Sequence, residues 1–318
     1  MQLRYVKLVG ILIITIIAVG LLIVVAKILR LPEVAPMPIN ANAEFNFDTE
    51  IPKGNNKRAR VVILAGQSNA SGHTRDEYLK KYVSTEKYQE YENGYENVFI
   101  NYYVDNGSNK SNGFVNLKNN QGVSIGCFGP ELGLGEKLSE KYPHETVFII
   151  KFAWSATSIY DHWLSQAPSG NICTLYEMFI KFVRESMEYL EEQAYQAKLV
   201  GICWMQGESD ALLMKATLSY QDNLTMLIAN FRKDLNQYAS HLGMLFVDAG
   251  ISDCVVWKRY QEINFAKINV AKISYMNFYI DTIANKLTYQ NEPMDNPDVY
   301  HYDALSQIKL GHLFASYF

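Results

Sequence analysis

The sequence predicts an α/β domain of three layers, with a central, mostly parallel sheet between helices, preceded by one amino-terminal transmembrane helix. Three observations predict it. Short, nearly continuous apolar runs recur along the chain, helix-length stretches separate them, and residues 8–26 carry no charge. Such apolar runs suit strands covered on both faces. Their alternation with helices is the pattern of a parallel sheet.

The elements follow in chain order. Residues 8–26, LVGILIITIIAVGLLIVVA, would span roughly 30 Å of hydrocarbon as a helix. Basic residues flank the run (Arg4, Lys7, Lys27, Arg30). It is longer than the apolar core of a cleaved signal peptide, so an uncleaved single-pass anchor is expected over residues 1–30. With the amino terminus inside, the bulk of the chain would lie outside the cytoplasm. Residues 31–59, rich in Pro and then in Asn and Lys, read as a stalk. The domain is expected over 60–318. Strands are expected at 61–65, 146–152, 199–204 and 244–248, and helices at 130–141, 174–196, 215–238, 258–276 and 303–317. Residues 84–122 break the alternation and read as a loop or hairpin excursion, with a strand at 97–104 and a turn at Asp105-Asn106-Gly107.

Composition narrows the function. The 318 residues are 48% hydrophobic and 13% aromatic, ample for a core. A net charge of −4, with no basic stripe in the domain, argues against nucleic acid as a partner. The spacing of Cys127, Cys173, Cys203 and Cys254 fits no zinc pattern, so no metal is expected. Cys203 reads as a core residue, and a disulfide between two of the others stays open. Several of the 22 tyrosines cluster between Tyr78 and Tyr103, either as a carbohydrate-binding surface or as packing under loops.

The candidate chemistry begins where the first apolar run ends, in Gly66-Gln67-Ser68-Asn69. In α/β sheets, ligands bind beyond the carboxyl ends of the strands. Ser68 follows the first strand at that end, and Gln206 and Glu208 follow the third. A serine nucleophile needs a base and a group that orients the base. Asp298-Val299-Tyr300-His301 supplies both from one turn. His73 is the alternative base, close in sequence to Ser68. The G-x-S-x-G elbow of α/β-hydrolases is not satisfied, because residue 70 is alanine. Glu208 and Asp210 read as loop braces, the alternative being a carboxylate pair for glycosidase chemistry.

Four blocks together carry a resemblance: GQSNASG (66–72), FGPELGLGEKL (128–138), WMQGESDA (204–211) and DVYHYDALSQIKLG (298–311). In this order they resemble the SGNH hydrolase superfamily, and most of all its sialate O-acetylesterase and carbohydrate esterase family 6 branch. The resemblance implies an SGNH-type, flavodoxin-like sheet. It also implies Ser68 as nucleophile, with Asp298 and His301 completing the triad. Ser68, Gly129 and Gln206 would supply the oxyanion donors, with Gly126 as the fallback glycine. Gln67, Asn69, Glu208 and Thr157 would support the site. Where the branch usually has Gly-Gly-Thr, this chain has Ser155-Ala156-Thr157. Trp154 and Trp163 nearby either stack on a sugar or pack under the loops.

The expected activity is therefore removal of acetyl groups from an O-acetylated carbohydrate, through an acyl-enzyme and with no cofactor. The same blocks fit an acyltransferase or a non-catalytic carbohydrate-binding protein. Four sequons, at Asn69, Asn106, Asn109 and Asn223, read as chance matches.

Overall fold

The computed structural model describes residue 39 and residues 43–166 and 174–318. The expected anchor at 8–26 and Cys173 lie outside them. Among the described residues no helix is long and apolar enough to cross a membrane, and Cys127, Cys203 and Cys254 are free thiols.

Among the described residues ten strands form: β1 (Arg58–Gly66), β2 (Thr74–Arg75), β3 (Val98–Val104), β4 (Asn109–Lys110), β5 (Val115–Asn116), β6 (Cys127–Phe128), β7 (Thr146–Ala153), β8 (Gln196–Met205), β9 (Leu245–Ala249) and β10 (Asn277–Ile280). The main sheet runs β10-β9-β8-β1-β7-β3-β4, with β5 also on β3. All pairings from β10 to β3 are parallel, and β4 and β5 add antiparallel ends. β1 is the central strand, and from Val61 to Gly66 it is wholly buried. Cover on both faces is what its unbroken apolar run requires.

The helices that flank the sheet are α1 (Ser68–Ser71), α2 (Asp76–Tyr82), α3 (Thr85–Asn93), α4 (Pro130–Lys141), α5 (Thr174–Glu192), α6 (Met214–Asp234), α7 (Tyr260–Ile273) and α8 (Ala304–Ala315). The five expected helices all form, α4 with the predicted bounds. Pro130 opens α4 at a position where its missing N–H costs nothing.

Three expectations change, and one open alternative is decided. The parallel strands, numbered along the chain, lie in the order 2-3-1-4-5-6, whereas a flavodoxin-like sheet runs 2-1-3-4-5. The excursion after β1 carries β3 past the place that β7 then fills. That excursion holds a true helix, α3, capped by the Ser84 hydroxyl, which accepts from Lys87 N–H. Most of the clustered tyrosines pack: Tyr88, Tyr91, Tyr95 and Tyr103 are buried, Tyr78 and Tyr102 half-buried, and Tyr82 exposed. From residue 43 the segment read as a stalk lies on the domain. Phe45 meets Phe182 and Tyr103 edge-on. Tyr189 and Tyr195 donate to the carbonyls of Thr49 and Pro52. Aromatic and aliphatic side chains dispersed among polar ones seat this strip without a recognisable period.

One ionic cluster joins three helices. Glu136 on α4 accepts from Tyr91 of α3 at 2.7 Å and from His312 of α8 at 2.7 Å, and pairs with Lys87 of α3 at 2.6 Å. Burial opposes the charge, but these donors outweigh it and hold the Glu136 carboxyl down to about 2. A depressed carboxyl contributes stability that is complete above its unfolded pKa, near 4.5, and lost as pH falls through about 2. Urea melts between pH 5 and 2 are expected to show roughly 2–3 kcal/mol of acid destabilisation that Glu136→Gln lacks. Parallel pH curves for the two proteins would contradict this.

Candidate active site

One line of paired residues crosses the sheet at its carboxyl edge: Val104, Ala153, Gly66, Met205, Ala249 and Ile280. The residues that follow are therefore neighbours in space. Asp105 follows β3, Trp154 and Ser155 follow β7, Gln67 and Ser68 follow β1, and Gln206 follows β8. The chain turns sharply at Gly66, where φ is +141° and a Cβ would lie 2.0 Å from the Met205 carbonyl oxygen. Only glycine fits that approach. Ser68 then opens the single turn α1, closed by Gly72 N–H donating to its carbonyl.

The Asp298-x-x-His301 turn forms as expected. His301 Nδ1 lies 2.6 Å from Asp298 Oδ2, and the other Asp298 oxygen accepts from Tyr300 N–H at 3.1 Å. Burial raises the Asp298 carboxyl, but His301 and the Tyr300 N–H prevail and hold it below the usual carboxylate range. With Nδ1–H donated to a carboxylate, Nε2 carries the lone pair. That is the tautomer of a general base.

Asn69 ties this turn to Ser68. Its Oδ1 accepts from Tyr302 N–H at 3.0 Å and from Gln307 at 3.3 Å. Its Nδ2 donates to Glu208 Oε1 at 2.8 Å and to the Tyr300 carbonyl at 3.3 Å. The residue after Ser68 thus clamps both neighbours of His301. Asn69→Ala is expected to lower kcat on the order of 10²-fold by letting the two loops drift. It should also cost about 1–3 kcal/mol, because buried partners lose their bonds. Turnover with p-nitrophenyl acetate and urea midpoints measure both, and unchanged kcat would count against the clamp.

The expected oxyanion donors divide. Gly129 N–H donates to Glu131 Oε1 at 2.8 Å. The fallback, Gly126 N–H, donates to Asn120 Oδ1 at 2.7 Å. The Gln206 amide donates to Asp210 at 2.6 Å, to the Thr157 carbonyl at 2.9 Å and to Gln67 at 3.3 Å. Gln206 is fully buried, and in this structure it is a bracket joining three loops rather than a donor aimed at the cleft. Gly129 serves close packing, since a Cβ there would lie 2.8 Å from the Gly72 Cα.

The other supporting residues brace the loops. Thr157 donates to the Trp154 carbonyl and accepts from Trp163 Nε1. Gln67 Oε1 lies 3.3 Å from Ser209 N. Asp210 accepts from the N–H groups of Ile159 and Tyr160, and burial pushes its carboxyl up to about 7. Glu208 is buried and raised by burial in the same way. Two buried carboxylates spent on loop bonds do not make a glycosidase pair. Trp154 and Trp163 are fully buried, and Trp163 packs edge-on against Trp204, so neither offers a face to a sugar. Asn69 and Asn223 are also buried, which excludes them as glycan carriers. Among the described residues no cluster of His, Cys, Asp and Glu could hold a metal ion.

The sequence reading kept His73 as the alternative base, and the structure places its Nε2 3.0 Å from Ser155 Oγ. The reading singled out the Asp105 turn, Ser155-Ala156-Thr157 and His73 separately but missed Asp105, Ser155 and His73 as a connected group.

Among known structures, the chain is similar to a protein from Arabidopsis thaliana, with 18% identity and a TM-score of 0.57 over 81% of this chain and 96% of that one. It is also similar to NanS, with 14% identity and a TM-score of 0.58 over 84% and 98%. At these identities the likeness concerns the fold. No curated protein matches. The model of one family, described as carbohydrate esterase, sialic acid-specific acetylesterase, matches residues 58–318. With the match covering the whole sheet and every loop of the site, the chain belongs to the sialic acid-specific acetylesterase family of carbohydrate esterases.

Proposed function

We propose that this carbohydrate esterase removes O-acetyl groups from a sugar by way of a Ser68 acyl-enzyme. The observation that carries the reading is the Asp298–His301 pair, 2.6 Å apart, on a turn that Asn69 binds to the loop of Ser68. His301 Nε2 takes the proton of the Ser68 hydroxyl as its oxygen attacks the ester carbonyl. The same nitrogen returns the proton to the leaving sugar oxygen. A water then repeats the sequence on the acyl-serine and releases acetate. Of the expected oxyanion donors, the reading keeps the Ser68 N–H, at the start of a helical turn.

The reading retains residues 8–26 as a membrane anchor that holds the enzyme outside the cytoplasm, on sequence grounds. The test is acetate release from p-nitrophenyl acetate and from a panel of O-acetylated sugars, with Ser68→Ala as control. Serine-dependent release supports the esterase, and the ranking of sugars names the substrate. Binding of acetylated sugar without release would sink the reading in favour of a binding protein. Capture of the acetyl group by an added sugar in preference to water would replace hydrolase with transferase.

A further inference from the structure

Beside the Asp298–His301 pair lies a second chain of polar contacts. Asp105 accepts from Ser155 twice, from the backbone N–H through one oxygen and from the hydroxyl at 2.8 Å through the other. Ser155 has thereby spent its only hydroxyl proton, so its oxygen acts as acceptor toward His73 Nε2, 3.0 Å away. His73 therefore carries its proton on Nε2. Its ring lies against that of His301, with centroids 4.0 Å apart and planes 8° from parallel.

We infer that Asp105, Ser155 and His73 form a positioning relay that fixes the ring plane of His301, the base of the proposed esterase. The inference rests on that reading for its consequence and on the geometry for its existence. His301 needs such support. One hydrogen bond to Asp298, whose side chain is 42% exposed, leaves the imidazole able to rock about that bond. A parallel ring at van der Waals distance removes the motion. His73 cannot slide away, because Ser155 holds its edge and Asp105 holds Ser155.

The backbone supports the same conclusion. Asp105 and Ala156 both adopt left-handed conformations, with φ of 45° and 58°. Alanine has no local hydrogen bond to repay that geometry, and left-handed non-glycine residues concentrate where a site needs an exact arrangement. The two strained residues adjoin the two bonds that hold Ser155. Electrostatics agrees as well. Burial first, and then His301, hold the His73 imidazole down to about 3, with Asp298 opposing and Lys151 assisting. The ring stacked on His301 is thus neutral when His301 gains its proton from Ser68. A charged neighbour at that distance would oppose the transfer.

The test uses the full chain with His73→Ala, His73→Phe and Ser155→Ala. Each is assayed with p-nitrophenyl acetate, checked for thermal unfolding, and examined by NMR of the histidine ring protons. His73→Ala is expected to lower kcat on the order of 10–100-fold, with KM changed by less than about threefold. His73→Phe, which keeps a flat ring in place, is expected to recover most of the loss, and Ser155→Ala to fall between. The His301 ring protons, shielded by the stacked ring, should move downfield in His73→Ala and stay in place in His73→Phe. Wild-type kcat and unshifted His301 resonances in His73→Ala would overturn the inference. A kcat in His73→Phe as low as in His73→Ala, with the His301 ring protons still shielded by the phenylalanine ring, would also overturn it, since a flat ring in place would then not be what the base needs. If the wild-type protein shows no serine-dependent turnover, the esterase reading fails alone, and the resonances still decide the relay.

Discussion

Ser68→Ala is expected to lower kcat for acetate release by about 10⁴–10⁶-fold while the protein stays folded. The size follows from what the substitution removes. On the proposed mechanism no acyl-enzyme can form without the hydroxyl, and His301 has no serine proton to take. The fold survives because the bonds that brace this turn belong to other groups. Gly72 N–H closes α1 on the Ser68 carbonyl, Asn69 makes the side-chain clamp, and Gln67 is held from β8 and the loop after it. Matched urea midpoints together with lost turnover are the expected result. Retained turnover would place the nucleophile elsewhere.

Much of this site was legible in the sequence, for a physical reason. Strand β1 is buried on both faces, so its apolar run had to end where the sheet ends, and Gly66-Gln67-Ser68 had to lie at the carboxyl edge. Asp298 and His301 sit three residues apart in one turn, so their pairing is local and spacing reveals it. Gln206 was placed correctly at the edge but not in its bonding, because two of its three acceptors, on Gln67 and Thr157, come from loops far away in the chain. The relay was hidden in the same way. Asp105, Ser155 and His73 follow three different segments, and only the register of β3, β7 and β1 brings them together. Strand order was hidden as well, since β3 and β7 have equally apolar runs and nothing in either says which lies next to β1.

The largest effect on stability is expected from the charges beneath the site. Lys151 on β7 and Glu131 on α4 are both fully buried, 2.8 Å apart. The ammonium also donates to the Gln121 carbonyl, and the other Glu131 oxygen accepts Gly129 N–H. Burial pulls the Lys151 amine down, and the adjacent Glu131 carboxylate opposes that pull. Glu131→Gln is expected to cost about 3–5 kcal/mol, because it leaves an ammonium in the interior without its counter-charge. Lys151→Met should cost a similar amount by stranding the carboxylate. The double variant Glu131→Gln with Lys151→Met removes both charges and keeps an acceptor for Gly129 N–H, so it should lose less than the sum of the singles. Urea midpoints of the four proteins close this cycle. Additive losses would mean the two groups do not pair as a buried unit. A coupling of several kcal/mol would show that the loop carrying Gly129, packed on Gly72 of the serine turn, is anchored from below by one ion pair.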